Sequence, residues 1–378
     1  MTRSQRRVES LDALRGFAIF GILLINIQLF SGWAFLGPEG REALSMSDHD
    51  GTLEVLLDVL VLAKFYSLFS LLFGYSFTMM AGKLGDGATC MHLRRMGGLL
   101  LFGLAHSLLL WPWDILLLYA VMGLVLTPFL RRGPWLLFLA GLLVLSIGAF
   151  ARWQYDVLGS YAGFVLGVLQ DSVPVMAGGS YAELVAANWD LTRSVAVEWI
   201  QGMRPLRVLG LFLIGAAAAT LGLAAHDSGR RGLLRVAAVL GLMAGLPLSM
   251  AEHAEHFDIA VLETLAPLGV AIGAPVLAVG YAAATLLFWH GRHLLANASR
   301  RTFAPVGRMA LTNYVGQSAI CVPLFYGFGL GLFAEWSLTR QLLFALALFA
   351  GQVVFSHLWL KAFRQGPLEW LWRRMVGR

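Results

Sequence analysis

The chain reads as a succession of apolar runs, each about as long as a bilayer is thick, separated by short polar stretches. At roughly 20 apolar residues per crossing, ten spans are predicted: near 11 to 31, 54 to 82, 96 to 112, 115 to 130, 134 to 151, 206 to 225, 232 to 250, 259 to 290, 305 to 325 and 339 to 362. No long polar block interrupts them, so residues 1–378 are expected to form a single membrane domain, an all-α polytopic helix bundle. The eighth run is too long for one straight crossing and holds Pro267 and Pro275, which predicts a kinked or tilted helix whose breaks line a cavity. Residues 152–205 interleave Trp153, Tyr155, Trp189 and Trp199 with Asp190, Arg193, Glu198 and Arg204. Such a mixture predicts a partly helical segment on the outer interface, either a lid over a site or packing. Near the C-terminus Gly366 ends one helix and Pro367 begins another, so residues 363–378 are expected to form a short cytoplasmic interfacial helix anchored by Trp370 and Trp372.

Composition agrees and narrows the choice. At 58% hydrophobic, 13% charged and a mean hydropathy of +0.72, the chain is far more apolar than a soluble domain. Its net charge of +6 does not indicate nucleic-acid binding, because the arginines cluster in short loops and act as topology signals. An even number of spans puts both termini on one side. Arg3, Arg6 and Arg7, then Lys83, Arg94 and Arg95, then Arg131 and Arg132, Arg230, Arg231 and Arg235, Arg292, Arg300 and Arg301, and Arg364, Arg373 and Arg374 all fall on that side. Glu39, Glu42, Asp48, Asp50, Glu252, Glu255 and Asp258 occupy the opposite loops. The basic face, with both termini, is therefore expected to be cytoplasmic. The basic N-terminal heptapeptide is followed by no small-residue cleavage site, so the first helix is expected to stay in the mature protein. Cys90 and Cys321 offer no disulfide framework.

Polar groups inside the apolar runs are the candidates for chemistry, since burying them in lipid is costly. The first run carries Asp12, Arg15 and Asn26. Arg15 and Asn26, 11 residues apart, share one helix face, with Asn26 about 16 Å deeper. The alternative is that Asp12 and Arg15 merely pair at the helix entrance while Asn26 bonds a neighbouring helix. The third run places His106 about 16 Å beyond Arg95, at a similar depth, and Asp114 just past Pro112. A histidine oriented by a carboxylate is suited to proton transfer; the plainer reading is a structural histidine beside a helix-capping aspartate. In the ninth run Asn313 and Gln317, four residues apart, share a face, with Arg308 at the mouth. Such a face suits a polar ligand and helix packing equally. Lys64, with Ser67 on its side of the second run, is expected to snorkel.

Other patterns are weaker. Glu252-His-Ala-Glu-His256 has metal-capable side chains but lacks the helical His-Glu-x-x-His spacing, so no metal is expected. Gly327-Phe-Gly-Leu-Gly331 lacks the strand and helix of a dinucleotide fingerprint and reads as a turn. His49, between Asp48 and Asp50, reads as a solvated loop residue.

Several signatures together resemble the YeiB-like family of bacterial membrane proteins, whose C-terminal half is a domain of unknown function. They are Leu11-Asp-Ala-Leu-Arg-Gly with Gly21-Ile-Leu-Leu-Ile-Asn26, Lys64-Phe-Tyr-Ser-Leu-Phe-Ser-Leu-Leu-Phe-Gly, His106 through Asp114-Ile-Leu, Gly307-Arg-Met-Ala-Leu-Thr-Asn-Tyr, and Gly366-Pro-Leu-Glu-Trp-Leu-Trp-Arg. That family is similar in turn to transmembrane acyltransferases that move an acyl group from cytoplasmic acyl-CoA to a carbohydrate or other acceptor on the far side. In the bacterial O-acyltransferase branch an arginine of the first helix is followed 11 residues later by a catalytic histidine; here that position is Asn26. The heparan N-acetyltransferase branch also has asparagine there and its histidine a further 11 residues on, where this chain has Gly37.

The resemblance implies an acyltransferase of the bacterial inner (cytoplasmic) membrane, with acyl-CoA, foremost acetyl-CoA, as donor. Arg15 and Arg308, with Asn313 and Gln317, are then expected on the CoA side, since guanidinium groups suit phosphates. His106, oriented by Asp114, is expected to deprotonate an acceptor hydroxyl or amine while Asn26 steadies the oxyanion. Expected partners are a small-molecule or carbohydrate acceptor and membrane lipid, with a homo-oligomer left open and no nucleic acid. A transporter or flippase for a small polar solute, built from the same residues, is the main alternative; a catalytically silent assembly protein is another.

Overall fold

A computed structural model of the chain describes residues 3–45, 49–157, 160–224, 230–291 and 293–377. Asp48 and Arg292 lie outside the described residues, as do the side chains of Arg3, Arg6, Arg7 and Lys83. The regular structure among the described residues is all helix, with no strand. In order the helices are α1 (Arg3–Phe30), α2 (Pro38–Leu44), α3 (His49–Leu60), α4 (Lys64–Leu84), α5 (Ala88–Leu109) and α6 (Ile115–Val125). There follow α7 (Pro134–Val157), α8 (Ser160–Gly178), α9 (Tyr181–Gln201), α10 (Arg204–Thr220), α11 (Arg231–Glu252) and α12 (Ala260–Leu268). The last are α13 (Ala274–His290), α14 (Leu294–Arg308), α15 (Ala310–Phe325), α16 (Leu338–Ala362) and α17 (Pro367–Val376).

Each expected span falls on helix, but fewer than ten of those helices have the length and hydropathy to cross a membrane. Among the described residues six segments do: Glu9–Phe30, His49–Gly82, Pro134–Tyr155, Arg231–Glu252, Ala260–His290 and Leu338–Ala362. A seventh arises if α9 and α10, bent by 67°, serve as one broken span. Some of the others are short: α6 has 11 residues, about 16 Å of helix, and α15 has 16; α5, with 22 residues, is long enough but carries Arg94 and Arg95 and is not among the six. The whole is a helical membrane bundle in which six or seven of the described segments have the length and hydropathy of a crossing.

The bundle is built around α1. More than half of its apolar window (56%) is buried, against 17% for Pro134–Tyr155, whose leucines and aromatics face outward. α1 packs on α4, α13, α14, α15 and α16. Its closest crossing is with α14, at glycines: a Cβ on Gly16 would fall on the carbonyl oxygen of Phe303, and one on Gly307 on the carbonyl oxygen of Asp12. Gly74 and Gly215 do the same for α4 and α10, against the backbones of Phe212 and Leu71. Small residues that let backbones touch are how helices associate where lipid is as apolar as leucine.

The expected break in the eighth span is a π-turn over Gly269–Gly273, between Pro267 and Pro275. Such a turn leaves backbone carbonyls without their helical partners. The Val270 carbonyl accepts instead from Arg207 Nη2 at 3.0 Å. The segment expected on the outer interface is almost wholly helical, as α8 and α9, and its two tryptophans of α9 differ: Trp199 is buried and Trp189 exposed. At the C-terminus α17 packs on α5 and α15. Trp370 is exposed, whereas the Trp372 indole turns inward and donates to the Arg95 carbonyl, so one tryptophan anchors outward and the other fixes the helix to the bundle. Cys90 and Cys321 are both free.

Lys64 departs from expectation. Rather than snorkelling it is fully buried, donating to the Asp58 carbonyl at 2.8 Å and lying 3.5 Å from the Glu252 carboxylate, because the internal anion removes the need to reach the membrane surface.

Two outcomes are expected. Gly16→Leu should force the backbones of α1 and α14 apart and lower the detergent-solubilised protein's thermal midpoint by the equivalent of about 1–3 kcal/mol or more. Gly351→Ala, which meets open space on α16, should leave it unchanged. For orientation, cysteine labelling from outside should mark a cysteine at exposed position 42 and spare one at exposed position 301, in a background lacking Cys90 and Cys321. Arg300 is unsuited to that test because it is buried against the Trp289 carbonyl. The reverse labelling would invert the topology.

Candidate functional site

Two hollows run end to end along α1. The first, about 330 Å³, takes Arg15, Ile19 and Ile22 from α1; the second, about 300 Å³, takes Gly21, Ile22, Ile25, Asn26 and Leu29. Ile22, Ile115 and Tyr314 line both. These three side chains, from α1, α6 and α15, form the septum between a near hollow, at the end where α1 begins, and a far one. Both ends of the chain meet at the near hollow, since α17 contributes Glu369, Trp372 and Arg373 to its wall.

The near hollow is cationic. Arg15, Arg95, Arg308 and Arg373 line it with a single carboxylate, Glu369. Arg15 pairs with Asp12 and also donates to Ser76 Oγ at 2.6 Å. Arg95 stacks over Trp372, 4.4 Å from the ring centroid, and Arg308 donates to the Arg364 carbonyl. Glu369 is committed to structure: it accepts from the backbone N–H groups of Leu311 and Thr312, at 2.7 and 3.1 Å, and from Thr312 Oγ1 at 2.6 Å. It thereby caps the first turn of α15, where a carboxylate also meets the positive end of the helix dipole. The hollow's four arginines come from four different helices, α1, α5, α14 and α17, and like charges crowded in one concavity favour an anionic guest.

The far hollow is aromatic and mixed in charge. Trp111, Trp113, Trp199 and Tyr66 line it together with Asn26, Arg152, Arg204, Arg207 and Glu252. Arg204 is 3.1 Å from Glu198, and Arg207 donates to the Tyr66 hydroxyl at 3.0 Å. Asn26 faces this hollow half-buried, and its amide makes no hydrogen bond to another described residue.

Behind the septum lies a buried polar array. His106 Nδ1 stands 2.8 Å from Asp114 Oδ1, and Nε2 stands 2.9 Å from Ser318 Oγ. All three residues are at most 3% exposed. A carboxylate only accepts, so Nδ1 donates to Asp114; in the neutral ring the lone pair of Nε2 then receives the Ser318 hydroxyl. The other Asp114 oxygen accepts from the Leu117 N–H at 2.9 Å and so starts α6. The two readings of Asp114, helix cap and histidine orienter, are thus both realised. The array lines neither hollow. Tyr314, whose ring centroid is 5.5 Å from that of His106, stands between it and the hollows, with its hydroxyl accepting from the Ile115 N–H.

The sequence-derived candidates therefore separate into three places. Arg15 and Arg308 meet at the near hollow, Asn26 lines the far one, and His106 with Asp114 lies behind Tyr314. Asn313 and Gln317 line neither hollow. Asn313 Nδ2 donates to Val306 and Met309 carbonyls and to Ser356 Oγ, while Gln317 and Gln352 pair at 3.0 Å, joining α15 to α16. Sequence reasoning missed Ser318 and Tyr314. Their signal is an i, i+4 pair displaced by one residue from Asn313 and Gln317, which turns it about 100° around the helix toward His106. Arg95, Arg373 and Arg204 carried only a topology or interface signal, and Arg207 carried none.

One family model, described as a protein of unknown function (DUF418), matches residues 218–378. The chain is similar to the uncharacterized protein YxaH of Bacillus subtilis (strain 168), 32% identical over 392 residues that cover 98% of this chain and 94% of the relative. It is also 32% identical to the uncharacterized protein YeiB of Escherichia coli (strain K12), covering 98% and 97%. An uncharacterized 39.9 kDa protein encoded in the amylase 3′ region of Bacillus acidopullulyticus is 31% identical, over 98% and 94%. No solved structure matches the chain.

Because Asp114 serves two partners and Ser318 one, their removal should cost differently. Asp114→Ala is expected to destabilise by about 2–4 kcal/mol, a lost cap plus an unpartnered buried ring nitrogen, and Ser318→Ala by about 1 kcal/mol. Unfolding followed by tryptophan fluorescence measures both; equal losses would show that the carboxylate does not hold both groups.

Proposed function

The chain belongs to the YeiB-like family of DUF418-bearing membrane proteins, and from that premise we propose that it is an acyltransferase. It would take an acyl group from an acyl-CoA, foremost acetyl-CoA, at the near hollow and deliver it to a hydroxyl or amine at the far one. The observation that carries this reading is the hydrogen-bonded Ser318–His106–Asp114 array directly behind the wall between the two hollows. A serine, a histidine and a carboxylate in this order are the parts of nucleophilic acyl transfer on unrelated folds. The near hollow's arginines suit the phosphates of the donor.

The chemistry follows from the array. With Tyr314 turned aside, Ser318 Oγ attacks the thioester carbonyl while His106 Nε2 takes its proton; the carbon–sulfur bond breaks, and the thiol leaves with that proton. An acceptor hydroxyl or amine then attacks the acyl-serine, His106 takes its proton and returns it to Ser318 Oγ, and the product carries the acyl group. Asp114 holds the ring and stabilises the imidazolium in both halves. Asn26, with an uncommitted amide in the far hollow, is the donor available to the second oxyanion. With the basic loops inside, the near hollow opens to the cytoplasm and the far one beyond the inner membrane.

Two hollows meeting at a thin septum also favour a second reading, a transporter for a small organic anion. Purified protein in detergent distinguishes the two. His106→Ala and Ser318→Ala are expected to keep acyl-CoA binding and to lose transfer or thioester hydrolysis by about 100-fold to 10,000-fold. Arg15→Ala and Arg373→Ala should instead weaken acyl-CoA binding by on the order of 1–3 kcal/mol, the worth of a charge-assisted hydrogen bond. Arg373 is the cleaner probe, because Arg15 also neutralises Asp12. A parent protein that shows neither transfer nor hydrolysis, yet carries organic anions across proteoliposomes, would replace the enzyme by the transporter.

A further inference from the structure

We infer that Asp58, His253 and His256 form a binding site for a divalent metal ion of the zinc type at the far end of the bundle. The sequence pattern around His253 lacks the spacing of a helical zinc motif because the third ligand comes from elsewhere. Asp58 sits in the last turn of α3, and the two histidines follow the end of α11. α11 stops at Glu252; His253 adopts φ −118°, ψ 41°, and a tight turn over Ala254–His256 brings the second imidazole back beside the first. The two ring centroids are 6.2 Å apart and the ring planes 25° from parallel.

One ligand atom from each of the three residues lies within 4.8 Å of the others. Zinc holds nitrogen and oxygen ligands at 2.0–2.2 Å in a tetrahedron, which puts ligand atoms roughly 3.4 Å apart. His256 Nε2 and Asp58 Oδ2 are already 3.2 Å apart, so side-chain rotation at His253 completes the set. A second observation points to a ligand. His253 is 9% exposed, and its Nε2 is buried with no hydrogen-bond partner among the described residues, although its Nδ1 lies 3.7 Å from Glu255. A buried ring nitrogen without a partner is costly, and a metal ion supplies the missing one.

The surroundings suit a cation. Asp58, Glu252 and Glu255 are set against Lys64, which is bound to the Asp58 carbonyl and the Glu252 carboxylate, while Arg207, beside Glu252 in the far hollow, is committed to the Tyr66 hydroxyl and the Val270 carbonyl. Two histidines and one carboxylate leave a fourth coordination position open, the arrangement of sites that bind water or a substrate rather than purely structural ones. Glu252, the residue before His253, lines the far hollow, so the ion would sit at that hollow's rim and tie α3 to the turn between α11 and α12. The site stands independently of the acyl-transfer reading.

Full-length protein in detergent, freed of any affinity tag and stripped with chelator, tests it. Zinc titration followed by calorimetry and metal analysis is expected to give one ion per chain, and cobalt(II) the intense visible absorption of a four-coordinate site. His253→Ala and Asp58→Asn should each weaken zinc binding by at least about 100-fold, since losing even an outer-shell partner costs 10–100-fold. His357→Ala, an exposed histidine on α16, should not change it. His253→Gln keeps a polar group of similar bulk, and zinc should raise the thermal midpoint of the parent but not of this variant, which separates lost binding from lost folding. Absence of stoichiometric binding, or affinity unchanged in the His253 and Asp58 variants, would overturn the site.

Discussion

Where α1 and α14 cross, two glycines let the backbones touch, and most of the molecule's functional geometry follows from that contact. Gly16 faces the Phe303 carbonyl, and Gly307 faces that of Asp12. The residues beside those glycines are Arg15 and Arg308, so the crossing sets two guanidinium groups from distant parts of the chain into one wall. A side chain at either glycine would separate the helices and carry the arginines apart. The same crossing fixes the axial position of α1, and with it the depth at which Asn26 meets the far hollow, about three turns further on. Packing and charge placement are here one constraint.

Inside such a bundle each polar group must find its partner within the protein. At the helix ends around the hollows a few residues each serve several partners. Asp114 caps α6 and orients His106; Glu369 caps α15 while helping to wall the near hollow; Arg207 takes up a carbonyl freed by the π-turn and also binds Tyr66. Shared use binds local folding to the site, because a change in any of these groups disturbs a helix end together with a cavity wall.

Much of this was legible from residue order. Apolar run length located the helices; the arginines at 15 and 308 announced a basic mouth; His106 and Asp114, eight residues apart across a proline turn, meet. The number of crossings was not legible, because an apolar run such as 115–130 does not show that its helix stops after 11 residues, at Val125, and continues as a short 3-10 turn over Thr127–Phe129. Lys64 misled for a related reason: its partner Glu252 lies 188 residues away, and only tertiary packing reveals an internal anion. Ser318 and Tyr314 escaped notice since both are ordinary residues of membrane helices, and the more conspicuous amides at 313 and 317 mark the adjacent face, which packs on α16. Asp58 was invisible as a ligand for the same want of sequence proximity to His253 and His256.

The septum carries a burden apart from any chemistry on either side of it. Within a bilayer a wall shared by two hollows has to do the insulating that lipid does elsewhere, and here it is little more than the side chains of Ile22, Ile115 and Tyr314. Two of these are hydrocarbon, which repels water, and the third is a phenol whose hydroxyl is tethered to the backbone of Ile115. Any membrane that holds an ion gradient relies on such a barrier at every copy of a protein it contains. Shaving one of those side chains would therefore be felt first as a leak, in the cell's energy balance.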